Sequence, residues 1–379
     1  MESAFMQLIY AKKFRFPDAS ANMTQGINMI NAFSACGITV HSFFAFARGI
    51  GDPEHYLLDS YAVPLKNIDS PFITSQRLRG LKYSLWLLRQ IMQVPNKILY
   101  TREGTELRRV LHYKKFRFSY PVFHEIHKFE PHFLDDTPEA ENSRKELQKR
   151  LSTINGVVFI DAGLQEQATT ILKLETPSCV APSGVNLEHF AQCLPPSSHT
   201  AITIGYFGKV VAEKGVHMLF RAFSLLPSNY HLRIVGAVAP KEREQLLLLA
   251  GNAQERIEFV GHVPHAALPK AMNGVHLSVI PSIFEDQFLS PLKLAESLAM
   301  GLPIVCTPMP YLTRILSPQN ASVAASPTPE DLAKAIRETG SHPQKMEAMR
   351  KANLQYAREF SWENRARHIL DFMNAALSD

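Results

Sequence analysis

The sequence is poor in cysteine and tryptophan, with four and two among 379 residues. Cys36, Cys179, Cys193 and Cys306 are scattered, and no two form a Cys-x-x-Cys pair. That spacing disfavours both a cysteine zinc site and a disulfide framework, and it fits a reducing cytoplasmic compartment. No stretch approaches the ~20 apolar residues that span a bilayer, so an integral membrane protein is not expected. The first ten residues carry Glu2 and no positive leader, and Gln7 interrupts their apolar stretch, which reads against a signal peptide. The 18 glycines form neither a Gly-x-Gly-x-x-Gly dinucleotide fingerprint nor a Walker A loop.

What is present suits a folded chain of more than one domain. Hydrophobic residues make up 46% and charged residues 20%, enough for sizeable cores. At about 100–200 residues per domain, the length favours two. The net charge of +5 is uneven. Between Arg77 and Arg117 eleven basic residues face only Glu103 and Glu106. Such a cluster is either a solvated face or an attraction for something anionic, such as a membrane surface or a charged substrate. No nucleic-acid motif accompanies it.

Strand-like and helix-like segments alternate along the chain. Met6–Ala11 reads as a strand leading to a polar loop, Lys12–Thr24; Ile27, Ile30 and Phe33 follow at near-helical spacing, then the strand-like Ile38–Val40. Further strands are expected at Lys97–Tyr100, Pro121–Phe123 and Val157–Ile160, and Pro131–Arg150 reads as a loop feeding an exposed helix. A second series begins near Ala201, with strands at Ile202–Tyr206, His231–Val235, Ile257–Val260, His276–Ile280 and Pro303–Cys306. The Pro- and Ser-rich stretch 191–200 reads as a linker between residues 1–190 and 201–360. The alternation implies two doubly wound Rossmann-like α/β domains facing a central cleft.

Two motifs carry chemistry. In Pro281–Gly301, Ser290 before Pro291 suits an N-cap followed by the first helical position. The N–H groups of a helix starting there, at Leu292 and Lys293, favour a phosphate. Glu296 lies six residues beyond Ser290, within reach of a ribose diol; the plain alternative is a capped amphipathic helix with Glu296 exposed. In Gly205–Gly215, a strand runs into a turn at Gly208, and Lys209 and Lys214 flank a loop that opens a helix. The two lysines suit a diphosphate, or are simply solvated.

Together these motifs resemble those of retaining glycosyltransferases of the GT-B fold, specifically glycosyltransferase family 4. The family's Arg/Lys-x-x-x-x-Lys-Gly element matches Lys209 to Gly215, and its Glu-x-x-Ala-x-Gly-x-Pro block matches Glu296 to Pro303. Ala181–Phe190 is similar to the family's Pro-Asn-Gly-Val-Asp segment. Phe360-Ser-Trp362 resembles the start of the family's final helix, here 361–379, which in relatives packs back on the first domain. Phe288 departs from the pattern, because relatives carry there a carboxylate facing the transferred sugar. Glu285 or Asp286 then substitutes, or backbone N–H groups around Phe288, Leu289 and Ser290 hold the sugar.

The resemblance implies a UDP- or GDP-sugar donor, no cofactor, and a glycan, lipid-linked or small-molecule acceptor. No Asp-x-Asp pair stands where the diphosphate would bind, so metal independence is expected. Lys209 and Lys214 would hold the leaving diphosphate, with Gly208 and the 289–293 segment around it. In Tyr120–His127 the Glu125-x-His127 pattern resembles a family segment whose histidine lies near the reacting sugar; a surface or core histidine is the alternative. His124 with His127 lacks a third ligand for zinc. Ser20, Asn22 and Arg102 are candidates for the acceptor side. The basic region 77–117 would allow peripheral contact with the inner face of a membrane. Rival readings are a GT-B sugar-nucleotide epimerase and a non-catalytic sugar-nucleotide-binding subunit.

Overall fold

A computed structural model of the chain describes residues 6–18, 20–64, 68–69, 71–73, 79–116, 118–129, 131–191, 200–283 and 292–378. They divide into two units: residues 6–183 with 362–378, and residues 184–283 with 292–361. Residues 192–199 of the expected linker lie outside the described residues. No helix among the described residues is long and apolar enough to cross a membrane.

The first unit is built on an eight-stranded sheet. Its order is Ile68–Asp69, Thr39–Phe46, Gln7–Phe16, Lys97–Thr101, Val122–Ile126, Gly156–Phe159, Ser178–Val180, with Phe72–Ile73 also on Thr39–Phe46. Every pairing is parallel. Parallel strands are covered on both faces, and the run Leu8–Ala11 is accordingly buried throughout.

The first strand is longer than its apolar run suggests. It continues through Lys12–Phe16, where a polar loop is expected from sequence, because Phe14 and Phe16 are buried while Lys13 and Arg15 alternate with them. Lys12 is buried too, and its ammonium lies 3.0 Å from Glu103 Oε1. The helix Ala21–Ala35 then starts at once, with Ser20 Oγ accepting from the Met23 N–H. Pro131–Arg150 holds the exposed helix expected there. A 3-10 turn, Pro131–Leu134, precedes the helix Pro138–Leu151, and Thr137 caps that helix so that Pro138 begins it.

The second unit has a six-stranded, all-parallel sheet in the order Ile257–Gly261, Tyr230–Val235, Ile202–Phe207, Leu277–Ile280, Ile304–Cys306, Ala321–Val323. Its core gathers Ile204, Tyr206 and Leu232 under Leu219, Phe220 and Phe223 of the helix Val216–Ser224. Each fully buried Leu or Phe contributes about 1.5–3 kcal/mol.

In both sheets the strand order reverses beside the unit's first strand. The reversal lies between Gln7–Phe16 and Lys97–Thr101 in one, and between Ile202–Phe207 and Leu277–Ile280 in the other. Open α/β sheets bind ligands outside the carboxyl ends of the strands at such a point.

The final helix, Trp362–Ser378, belongs to the first unit. Phe372 meets Phe123 edge-on at 5.8 Å between ring centroids. Arg365 Nε donates to the carbonyls of Ala181 and Pro182 at 3.1 and 2.9 Å.

Candidate functional site

At the reversal point of the second sheet, Ile202–Phe207 runs directly into Gly208, whose φ of +131° only glycine adopts easily. The chain turns through Lys209 and the 3-10 segment Ala212–Lys214 to Gly215, which has φ +72° and starts the helix Val216–Ser224. A Cβ on Gly215 would stand 1.6 Å from the carbonyl oxygen of Pro281, just past the strand Leu277–Ile280. The loop therefore lies directly against the end of the neighbouring strand.

Beside it begins the helix Leu292–Ala299, which presents Leu292, Lys293 and Glu296. Lys293 Nζ lies over the Tyr206 ring, 5.0 Å from its centroid, and Tyr206 Oη donates to the Lys209 carbonyl at 2.8 Å. Burial, and then the nearby Lys214 charge, push the Lys293 ammonium down to about 7, although Glu296 works the other way. Burial also lowers Lys214. Lys209 is exposed, and Lys214 is half-buried. Two cations thus share a partly dehydrated corner at the carboxyl ends of the strands. Glu296 is not the exposed residue of a plain amphipathic helix; it is 5% exposed, and its Oε1 lies 2.9 Å from His265 Nε2.

The first unit holds a second polar cluster at its own reversal point. Glu125 is buried on the strand Val122–Ile126. Its Oε1 lies 3.4 Å from Arg102 Nε and 3.0 Å from Arg365 Nη2. Tyr100 Oη donates to Oε2, and His127 Nε2 touches Oε1. Burial acts to raise the Glu125 carboxyl, but Arg365 and Arg102 outweigh it and hold the group well below the carboxylate range. Arg102 Nη2 also reaches Gln25 Oε1 and His127 Nε2, each at 2.8 Å. Burial, with Arg102's charge, lowers His127 to about 4, so its imidazole is neutral near pH 7.

Of the expected residues, Gly208, Lys209, Lys214, Leu292, Lys293 and Glu296 gather in the second unit, and Arg102 and His127 in the first. Arg102 is not at an open edge but 8% exposed within the ion cluster. Ser20 caps a helix, and Asn22 is exposed, its carbonyl 3.4 Å from Arg102 Nη1. His124 does not pair with His127 toward a metal. It is buried, its Nδ1 2.7 Å from Thr101 Oγ1, and burial lowers it to about 4. Glu285, Asp286, Phe288, Leu289, Ser290 and Pro291 lie outside the described residues. Four contributors carry no local sequence signal: His265, Tyr206, Gln25 and Arg365.

Residues 201–341 match the family described as Glycosyl transferases group 1. That stretch contains the Lys209–Gly215 loop and the Lys293–Glu296 helix. The matched stretch falls within the second unit. The whole chain superposes on a glycosyltransferase from Rickettsia africae with TM-score 0.73 and 15% identity, over 99% of both chains. Sucrose-phosphate synthase from Thermosynechococcus elongatus gives 0.71 and 17%, over 98% of this chain and 99% of that one. Anabaena HepE in complex with UDP-glucose gives 0.69 and 14%, over 97% and 99%. At these identities the likeness is one of fold, and the fold is GT-B.

In sequence, the chain is 26% identical over 197 residues to a phosphatidylinositol N-acetylglucosaminyltransferase component of Arabidopsis thaliana, covering 51% of this chain and 43% of that protein. It is 27% identical over 143 residues to phosphatidyl-myo-inositol mannosyltransferase of Mycobacterium leprae, covering 36% of each. The matches span less than half the length of either relative.

Proposed function

We propose that this chain is a retaining glycosyltransferase that moves a sugar from a UDP- or GDP-sugar to an acceptor hydroxyl in glycan or glycolipid synthesis, without a metal. One observation carries the reading: Lys214 and Lys293 sit together, partly dehydrated, at the reversal point of the group 1 domain. Two like charges in low dielectric are mutually unfavourable, and a diphosphate relieves both repulsion and desolvation. When the bond between the anomeric carbon and the diphosphate oxygen breaks, its electron pair stays with the diphosphate. Lys209, Lys214 and Lys293 would stabilise that developing charge. Glu296, oriented by His265, would accept from the ribose hydroxyls, and the neutral His127 would offer a hydrogen bond near the sugar.

The curated relatives are named for transfer to phosphatidylinositol lipids, which supports a lipid-linked acceptor here. Cys36, Cys179 and Cys306 are free thiols, which fits action in the cytoplasm. Incubation of the purified chain with UDP- and GDP-sugars tests the reading: donor turnover to free nucleoside diphosphate is expected, with Lys214→Ala lowering it by about 10²-fold or more. A second reading, a silent donor-binding subunit, is favoured by Phe288 in the place of a carboxylate. Donor binding with no turnover by the isolated chain would select it.

A further inference from the structure

Tyr206 is a tyrosine at a place where the core needs only a ring. It is 0% exposed and belongs to the second unit's core with Ile204 and Leu232. A buried phenol must find a partner for its hydroxyl, whereas phenylalanine would fill the same space without that need. The hydroxyl reaches forward along its own chain, past the turn at Gly208, and donates to the Lys209 carbonyl at 2.8 Å. Burial, and then the nearby Tyr311, push the phenol above its ordinary range, so it remains a donor at neutral pH.

That bond completes a row. The Gly208 N–H donates to the Val235 carbonyl at 2.9 Å and the Val210 N–H to the Ala237 carbonyl at 3.3 Å. Three consecutive residues are thus pinned where the loop begins, and the Lys209 side chain is left exposed. Further on, the Lys214 and Gly215 N–H groups close onto the Val211 and Ala212 carbonyls at 3.0 and 2.9 Å. The position of Lys214 therefore follows from where the loop starts.

The same side chain makes a second contact. Lys293, on the helix Leu292–Ala299, holds its ammonium 5.0 Å from the centre of the Tyr206 ring. An aromatic face attracts a cation, and more strongly where water is partly excluded. Two charged groups face Lys293: Lys214 from the loop repels it, and Glu296, three residues along its own helix, attracts it. The ring opposes the repulsion and keeps Lys293 beside the loop.

We propose that Tyr206 is a positioning residue of the donor site. Its hydroxyl holds the backbone that carries Lys209 and Lys214, and its ring holds Lys293, so one buried side chain sets the spacing of three cations. This deepens the glycosyltransferase reading, on which it rests for the diphosphate that those cations would meet.

The test separates the two contacts in the full chain without ligand. Competitive acetylation across a pH series, read peptide by peptide, gives the Lys293 midpoint, expected near 7 in the wild type. Tyr206→Met removes the ring but fills much of its space, and should lower that midpoint by about half a pH unit or more. Tyr206→Phe keeps the ring, and should leave the midpoint in place while speeding amide hydrogen exchange across residues 209–215. Its affinity for UDP or GDP should fall about threefold to tenfold. A midpoint unmoved in folded Tyr206→Met, or moved equally by both variants, would overturn the proposal, the second marking a merely structural tyrosine. Loop exchange in Tyr206→Phe as slow as in the wild type would overturn it too, and decides alone should Tyr206→Met unfold. Failure of the wild type to bind either nucleotide would defeat the donor reading instead, since acetylation and exchange judge Tyr206 without it.

Discussion

Lys293 Nζ lies 5.0 Å from the centre of the Tyr206 ring, inside a corner that it shares with Lys214. A cation over an aromatic face keeps part of the stabilisation it loses on leaving water. It still leaves Lys293 poised near neutrality, pushed down to about 7 by burial and by Lys214. The first prediction follows from the sign of that shift. Below pH 7 the ammonium is formed and a diphosphate in the proposed site would bind it directly; above pH 7 binding would also have to take up a proton. Affinity for UDP or GDP should therefore fall as pH rises from 7 to 9. Lys293→Met should bind more weakly at pH 7 and lose most of that slope. Calorimetric titration at several pH values checks this, and a slope unchanged in Lys293→Met would remove Lys293 from the site.

Glu296 is held by His265 at 2.9 Å, so in the proposed donor site His265 would position Glu296 for the nucleoside. His265→Ala should raise KM for the donor by about tenfold or more, with a smaller change in kcat. Loss of one hydrogen bond to a charged group is worth about 1.5–3 kcal/mol. His265→Gln, which keeps a donor, should recover part of the loss. A fall in kcat alone, with KM untouched, would contradict the positioning role.

Gly215 tests the backbone of the Lys209–Gly215 loop. Its φ is +72° and a Cβ there would meet the Pro281 carbonyl at 1.6 Å. Gly215→Ala should lower Tm, by an amount corresponding to at least about 1–3 kcal/mol of strain, and weaken nucleotide binding with it. A wild-type melting temperature would show that the loop relaxes freely.

The Arg102–Glu125–Arg365 cluster fastens the final helix within the first unit. Glu125→Gln leaves two buried guanidinium groups without their carboxylate, a change of about 3–5 kcal/mol for a broken buried pair. The pH dependence has a definite sign. Because Glu125 is held well below its ordinary value, its contribution is present above the ordinary carboxylate range and is lost as pH falls through its lowered folded value. Chemical denaturation should show wild type losing stability toward acid more steeply than Glu125→Gln. Parallel curves would argue against this assignment.

Much of the second unit is legible from local sequence. The Gly208–Gly215 loop and the Lys293–Glu296 helix are each a contiguous motif, and local spacing determines what such motifs can do. His265 and Arg365 are not legible, because their partners Glu296 and Glu125 lie far away in the chain and meet them only through the fold. Arg365 also sits in a charged helix, where an arginine reads as solvated. The first strand departs from its sequence reading for a related reason. Lys12, Lys13 and Arg15 look like loop residues until Glu103 is found beside Lys12 and the Phe14–Phe16 pair is found buried.

The most direct test of the account is the affinity of the full chain for UDP and GDP, measured by calorimetry beside Lys214→Ala. One of the two nucleotides is expected to bind the wild type, and the variant to bind it at least about tenfold more weakly, the loss expected for a charge-assisted contact. Equal affinity in the folded variant, or no binding of either nucleotide by the wild type, would contradict it.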